Sequence, residues 1–300
     1  MSQSDQLNLD NVKQIRKVKE NMRKHISEEL KNSFIQHLYL SEKSQATIAK
    51  YAHDIAILVE YMAGEEITRE RVLLCKSMLE ERYAVSSANS MIAAWNAFFR
   101  FCGRHDLIIK QFRIQREIFC SEERELTVQE YFRLLRAAQQ KKDRRLALIL
   151  QTVCGTGIRV SELPYITVEA AQAGETRVHC KGKIRRIVIV SRLRQKLLAY
   201  AKRKRLRSGM IFVTGSGKPI HRTVIWRAMK SLCVSAGVSA KKVFPHNLRH
   251  LFAREFYSME KDIVALADIL GHASINTTRI YTMTSGAEYR RKLDGMRLVQ

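Results

Sequence analysis

The sequence predicts a mainly α protein in two parts: a small all-helical domain, then a larger α-rich domain with a small antiparallel sheet. Three observations carry this. Apolar residues recur at spacings of three and four along most of the chain, the period of a helix. One stretch, "TRVHCKGKIRRIVIVS", reads as two short strands about Gly182-Lys183, the second of them β-branched. Around residues 113–123 the periodicity fails and the charge balance changes. At 300 residues, 46% of them apolar, the chain is long enough for two packed cores.

The elements follow in order. Residues 1–28 ("NVKQIRKVKENMRKHI" and its flanks) read as a basic helical extension. Ser44 caps a helix whose inner face holds Ile48, Tyr51, Ile55, Ile57, Leu58 and Met62, with Gly64 as its stop. "TRERVLLCKSMLEERY" and "SSANSMIAAWNAFFRFCGR" supply two more helices. In the second, Met91, Trp95, Phe98, Phe99 and Cys102 form one stripe, which reads as core rather than as a base-stacking platform. These helices define a domain at 29–112, a linker at 113–123 and a second domain at 124–300. Thr127 with Glu130 forms a capping box that opens the second domain. "RRLALILQTVCGTG" is an apolar helix broken by two glycines. The hairpin, a helix over "RLRQKLLAYAKRKRLRSG", a short strand "MIFVT" and a turn "GSGKP" come next. Helices near 221–236, 246–259, 261–271 and 274–282 follow, with a last short one in "EYRRKLDGM".

Composition narrows the function. No apolar run approaches the roughly 18 residues of a membrane span, and "MSQSDQLNLD" lacks the pattern of a signal peptide. A cytoplasmic, nucleoid-associated chain is expected. Six cysteines, no two closer than 18 residues, offer neither a zinc knuckle nor a redox pair and read as buried free thiols. "TGSGKP" lacks the GxxxxGK[ST] spacing of a phosphate loop, and Pro219 follows its lysine. No cofactor and no metal are expected.

Charge points to a polyanion. The net charge is +24. Residues 1–120 hold 18 Lys/Arg against 15 Asp/Glu, whereas residues 121–300 hold 35 against 14. From Ala171 to His250 there are 20 basic residues and one acid, Glu175. A solvated surface mixes both signs; a stretch so one-sided fits nucleic acid. It offers no paired carboxylates for Mg²⁺, so phosphodiester chemistry here falls to arginine, lysine and histidine.

Such groups stand at helix starts and turns. Arg159 follows "GTGI". Lys181 sits at the hairpin tip. His246 and Arg249, in "PHNLRH", share a face of a helix opened by Pro245. His272 follows Gly271, and Tyr281 comes nine residues later. Each alone has an ordinary structural explanation. Their order and spacing resemble the tyrosine recombinase (phage integrase) family, whose fingerprint is Arg, hairpin Lys, His-x-x-Arg, then Gly-His and a Tyr nine residues beyond. Glu162 matches an acidic residue the family often carries three after its first arginine. Pro164, Tyr165 and Met259 depart from the usual pattern, at positions that touch packing. The helical segment at 29–112 resembles the family's SAM-like core-binding domain.

The resemblance implies a site-specific recombinase that cuts and rejoins double-stranded DNA through a 3′-phosphotyrosyl intermediate, metal- and ATP-independent, working as a homotetramer on core sites. It assigns Tyr281 as nucleophile and Arg159, Arg249 and His272 to the non-bridging oxygens. Lys181 becomes the acid for the leaving 5′-oxygen, His246 the helper of the tyrosine proton, and Glu162 a supporting residue. The alternatives are a type IB topoisomerase and a catalytically silent DNA-binding regulator. The apolar set after Tyr281 (Tyr289, Leu293, Met296, Leu298) is expected to dock on a neighbouring protomer.

Overall fold

A computed structural model describes residues 26–114, 123–180, 183–272, 274–281, 290–291 and 294–296. The chain divides into two compact units at 116/117. The basic extension before residue 26, most of the linker, the hairpin tip with Lys181 and most of the segment after Tyr281 lie outside the described residues.

The first unit packs α1 (Glu28–Leu40), α2 (Gln45–Met62), α3 (Arg69–Arg82) and α4 (Val85–Phe101) around one core. Ser27, Ser44 and Thr68 each accept a backbone N–H of the first turn they precede, satisfying groups a helix leaves orphaned. α2 stops one residue earlier than the glycine suggests: Ala63 already has a φ of 49°, and Gly64 continues the reversal. The aromatic stripe is core. Trp95, Phe98 and Phe99 are fully buried, and the Trp95 indole donates to the Asp54 carbonyl at 2.8 Å. Asn89 and Asn96, seven apart on α4, hold the departing chain as a strand would. Asn96 pairs with both backbone groups of Ile109 (2.8 and 3.0 Å) and Asn89 with both of Phe112 (2.9 and 2.7 Å).

The second unit is built on α6 (Arg144–Thr156), which is apolar nearly all round and therefore central. Leu148, Ile149, Leu150 and Val153 are buried, and the Thr152 and Thr156 hydroxyls donate back along the helix. Around it lie α5 (Val128–Gln140), α8 (Ser191–Arg203), α9 (Arg222–Lys230) and α11 (Pro245–Glu260). The expected capping box opens α5: Glu130 N–H donates to Thr127 Oγ1 at 3.1 Å and Thr127 N–H to Glu130 Oε2 at 2.9 Å. The glycines behave differently from expectation, since Gly155 lies within α6 and Gly157 alone, at φ 64°, ends it.

A 3₁₀ turn (Val160–Tyr165) and α7 (Val168–Ala173) lead to the sheet, β1 (Glu175–Cys180) antiparallel to β2 (Lys183–Val188). Cys180 opposite Lys183 is the last pair. "MIFVT" is not a strand of this sheet. It makes only isolated bridges, Met210 to Thr167 and Val213 to Pro219, because its neighbour is a short loop that pairs over one position; Ile211 and Phe212 are simply buried. The helix expected at 221–236 is two, α9 and α10 (Cys233–Ala236). After α11 come α12 (Ile263–Leu270), α13 (Ile275–Thr278) and a 3₁₀ turn, Arg279–Tyr281.

Candidate active site

The end of α6 and the middle of α11 are brought together by a glycine without which they collide. A Cβ on Gly157 would lie 2.4 Å from the Phe252 ring of α11, in a conformation L residues rarely adopt. Just beyond, Arg159 enters the 3₁₀ turn with its backbone N–H on Glu162 Oε2 (2.8 Å) and its guanidinium on Glu162 Oε1 (3.0 Å). Glu162 is 3% exposed and also pairs with Arg185 of β2. Arg185 donates in turn to the Ile269 carbonyl at 2.5 Å. Its stem passes so close to Gly271 that a Cβ there would sit 2.6 Å from Arg185 Cδ.

Arg249, 1% exposed, is the buried centre of the site. It donates to the Gly157 carbonyl (2.5 Å) and the Leu270 carbonyl (2.6 Å), joining the ends of α6 and α12. Its Nη2 also lies 3.2 Å from His272 Nε2. A guanidinium only donates, so His272 Nε2 accepts, and Nδ1 carries the proton toward Thr278 Oγ1 at 2.9 Å. Burial, reinforced by Arg249, Arg159 and Arg185, depresses the His272 pKa to about 4, which keeps that ring neutral. Burial followed by the same kind of cationic neighbourhood lowers Arg249 to about 10.

Tyr281 lies parallel to His272, ring centroids 6.1 Å apart at 17°, and meets His250 edge-on at 5.0 Å. It is 4% exposed and packs with Ala253, Leu266 and Leu270. Burial raises its phenol pKa, against the pull of Arg249 and Arg159, so the hydroxyl holds its proton at neutral pH. His246, on the first turn of α11, is lowered to about 4 by burial, then by His250, Arg249 and Arg159. It opens onto a cleft of about 620 Å³ shared with Arg159, Arg249, Arg222, Trp226 and Phe244.

One cluster thus gathers Arg159, Glu162, His246, Arg249, His272 and Tyr281. Lys181 lies outside the described residues; β2, which begins two residues later, is fastened to the cluster through Arg185. Sequence reading missed Arg185 and His250. Strand parity held a signal for the first: Ile187 and Ile189 point inward, so Arg185, two residues before Ile187, does too. Helix spacing held one for the second, four residues after His246. His250 Nδ1 stands 3.8 Å from Glu125, whose other oxygen pairs with Arg254 at 2.7 Å. Among the described residues no group of three or more His, Cys, Asp or Glu could hold a metal ion.

Two arginines, a neutral histidine and a buried tyrosine thus converge beside a basic cleft, and the chain's relatives give the class of protein to which this arrangement belongs. Residues 124–288 match the phage integrase family and residues 32–105 its N-terminal SAM-like domain. The chain belongs to that family, the tyrosine recombinases, enzymes of site-specific recombination. It is 27% identical over 288 residues to the tyrosine recombinase XerA of Pyrococcus furiosus, covering 92% of this chain and 97% of that one. It is 29% identical over 269 residues to XerD of Halalkalibacterium halodurans, covering 82% and 90%. Its fold resembles that of lambda integrase in a tetramer bound to a Holliday junction: TM-score 0.68, 18% identity, covering 84% of this chain and 76% of that one.

Proposed function

We propose that Tyr281 attacks a phosphodiester of double-stranded DNA, forming a 3′-phosphotyrosyl bond and releasing a 5′-hydroxyl. The tyrosine Oη–P bond forms as the P–O5′ bond breaks, and the covalent link conserves the energy for rejoining, so no ATP is needed. Arg159 and Arg249 hold the non-bridging oxygens, where two guanidinium forks match phosphate geometry. His272 joins them once its Nε2 carries a proton, gained by protonation or by exchange of tautomer. His246, neutral above about pH 4, has a free lone pair to accept the tyrosine proton. Lys181 gives the leaving 5′-oxygen its proton. Glu162 orients Arg159.

Attack by a 5′-hydroxyl from a second duplex reverses the step and exchanges strands. The helical unit 29–112 and the catalytic unit 124–300 bind the core site, and four protomers act on two sites, as the lambda integrase tetramer on its junction suggests. The protein works on DNA in the nucleoid. The observation that carries this reading is the shared histidine: His272 touches both the buried anion-binding Arg249 and the ring of Tyr281.

The test is trapping of a covalent protein–DNA adduct on a nicked duplex carrying the core site. Tyr281→Phe is expected to abolish the adduct while DNA binding stays nearly unchanged. Adduct formation by that variant would transfer the nucleophile's role to another tyrosine, Tyr289 first.

A further inference from the structure

A second cleft of the catalytic unit, about 700 Å³, holds none of the active-site residues. Two basic runs that are distant in sequence build it. Four of the five residues Lys141–Arg145 are basic, and so are five of the six residues Lys202–Arg207. The first run forms the turn into α6 and the second the end of α8, so the fold sets them against one another. The Thr214–Gly217 turn closes the third side, joined by Arg145, which donates to the Val213 carbonyl at 3.2 Å.

The charges facing this cleft lack compensation. Lys142, Arg144, Arg203 and Lys204 line it, and among the described residues none has an ion pair with a carboxylate. Its one carboxylate, Asp143, is engaged as the cap of α6, accepting from Leu146 N–H at 2.9 Å. Arg203 lies over the buried Tyr200 ring, 5.4 Å from its centroid. Gathering so many like charges around a single carboxylate destabilises the free protein. A polyanion in the cleft removes that penalty. Arg159 follows the far end of α6, and thirteen residues of helix separate the two places by about 20 Å. The cleft therefore cannot serve the phosphate that reacts.

We propose that this cleft binds the phosphate backbone of duplex DNA lying outside the segment gripped at the active site. The proposal rests on the DNA-binding reading above and adds to it a second surface, with Lys142, Arg144, Arg203 and Lys204 as the contacting cations. Its occupant is a polyphosphate chain, which supplies several charges at once along the length of the cleft. An acidic protein partner is the rival occupant.

The test compares the full chain with the triple variant Arg144→Ala, Arg203→Ala, Lys204→Ala on random-sequence duplexes of roughly 20 and 60 base pairs, the shorter covering little beyond one active-site footprint. The slope of log affinity against log salt changes by about 0.9 per phosphate contact. On the long duplex the variant's slope is expected to be shallower by about 2 to 3, and on the short one to match the parent. Replacing Arg144 and Arg203 by Lys, with Lys204 kept, is expected to leave both slopes intact, since charge alone is read. Equal slopes for parent and triple variant on both duplexes overturn the proposal in favour of an acidic partner or bare solvation. An equal loss on both overturns the flanking placement. Covalent adduct formation, read separately on denaturing gels, stays at the parent level in the triple variant. Its absence in the parent would refute the recombinase reading and leave the slope result standing.

Discussion

At the scale of single residues, the site's histidines are held uncharged. His246 and His272 are both lowered to about 4 from an ordinary value near 6.5. The unfolded chain therefore binds more protons than the folded one between those values, and stability rises with pH there. Their contribution is fully present above about pH 6.5 and is lost as pH falls toward 4. Thermal denaturation of the DNA-free protein is expected to show a falling midpoint from pH 6.5 to 5, above the range where carboxylates titrate. A His246→Gln, His272→Gln double variant is expected to flatten that slope; an equally steep slope would mean other groups carry it. The sequence singled out these histidines through the order and spacing in which they resemble the family's fingerprint. Their protonation was not legible there, because it depends first on burial and then on Arg249 and Arg159, which arrive from separate elements.

At the scale of elements, the sequence announced nearly every helix, since caps such as Thr127 with Glu130 act locally. It misjudged "MIFVT" because strand propensity says nothing about whether a partner of matching length lies alongside. Glycines carry the tightest element contacts. Gly157→Ala combines a left-handed backbone, costing about 1–2 kcal/mol, with overpacking against Phe252, about 1–3 kcal/mol more. Gly237→Ala, with φ 58° and open space around it, incurs only the first cost. Urea unfolding of the two variants is expected to separate them by at least 1 kcal/mol, in that order. The hairpin makes its own prediction. If Lys181 protonates the leaving oxygen, Lys181→Ala cleaves ordinary DNA slowly but recovers when the scissile 5′-oxygen is replaced by sulfur, because thiols ionise several units below alcohols. Arg159→Ala is expected to recover far less. Recovery by Lys183→Ala in place of Lys181→Ala would move the role two residues along.

At the scale of the whole molecule, two separate cores predict two separable folding units. Fragments 26–114 and 124–300 are each expected to melt cooperatively alone. The second is expected to keep most of the salt dependence of DNA binding, since residues 121–300 carry 35 of the 53 basic side chains. A flat salt response from fragment 124–300 would contradict the charge argument. The asymmetry of charge was plain in the sequence. Its division into two basic surfaces was not, because Lys141–Arg145 and Lys202–Arg207 lie some sixty residues apart and meet only when α6 and α8 pack.

Glu162 gives the site an anion of its own. Its carboxylate, 3% exposed, already occupies Arg159, which is itself one-third exposed, and Arg185, which is not. If Arg159 holds the reacting phosphate as proposed, that phosphate enters by exchange: it takes over the outward side of Arg159 while Arg185 keeps Glu162 in place. A free inorganic anion competes poorly in that exchange, because the resident carboxylate is tethered and the newcomer is not. A duplex held along its length by other contacts presents its phosphate tethered as well, at comparable effective concentration. On that proposal Glu162 also acts as a filter, favouring anions that arrive as part of a polymer over those that arrive alone.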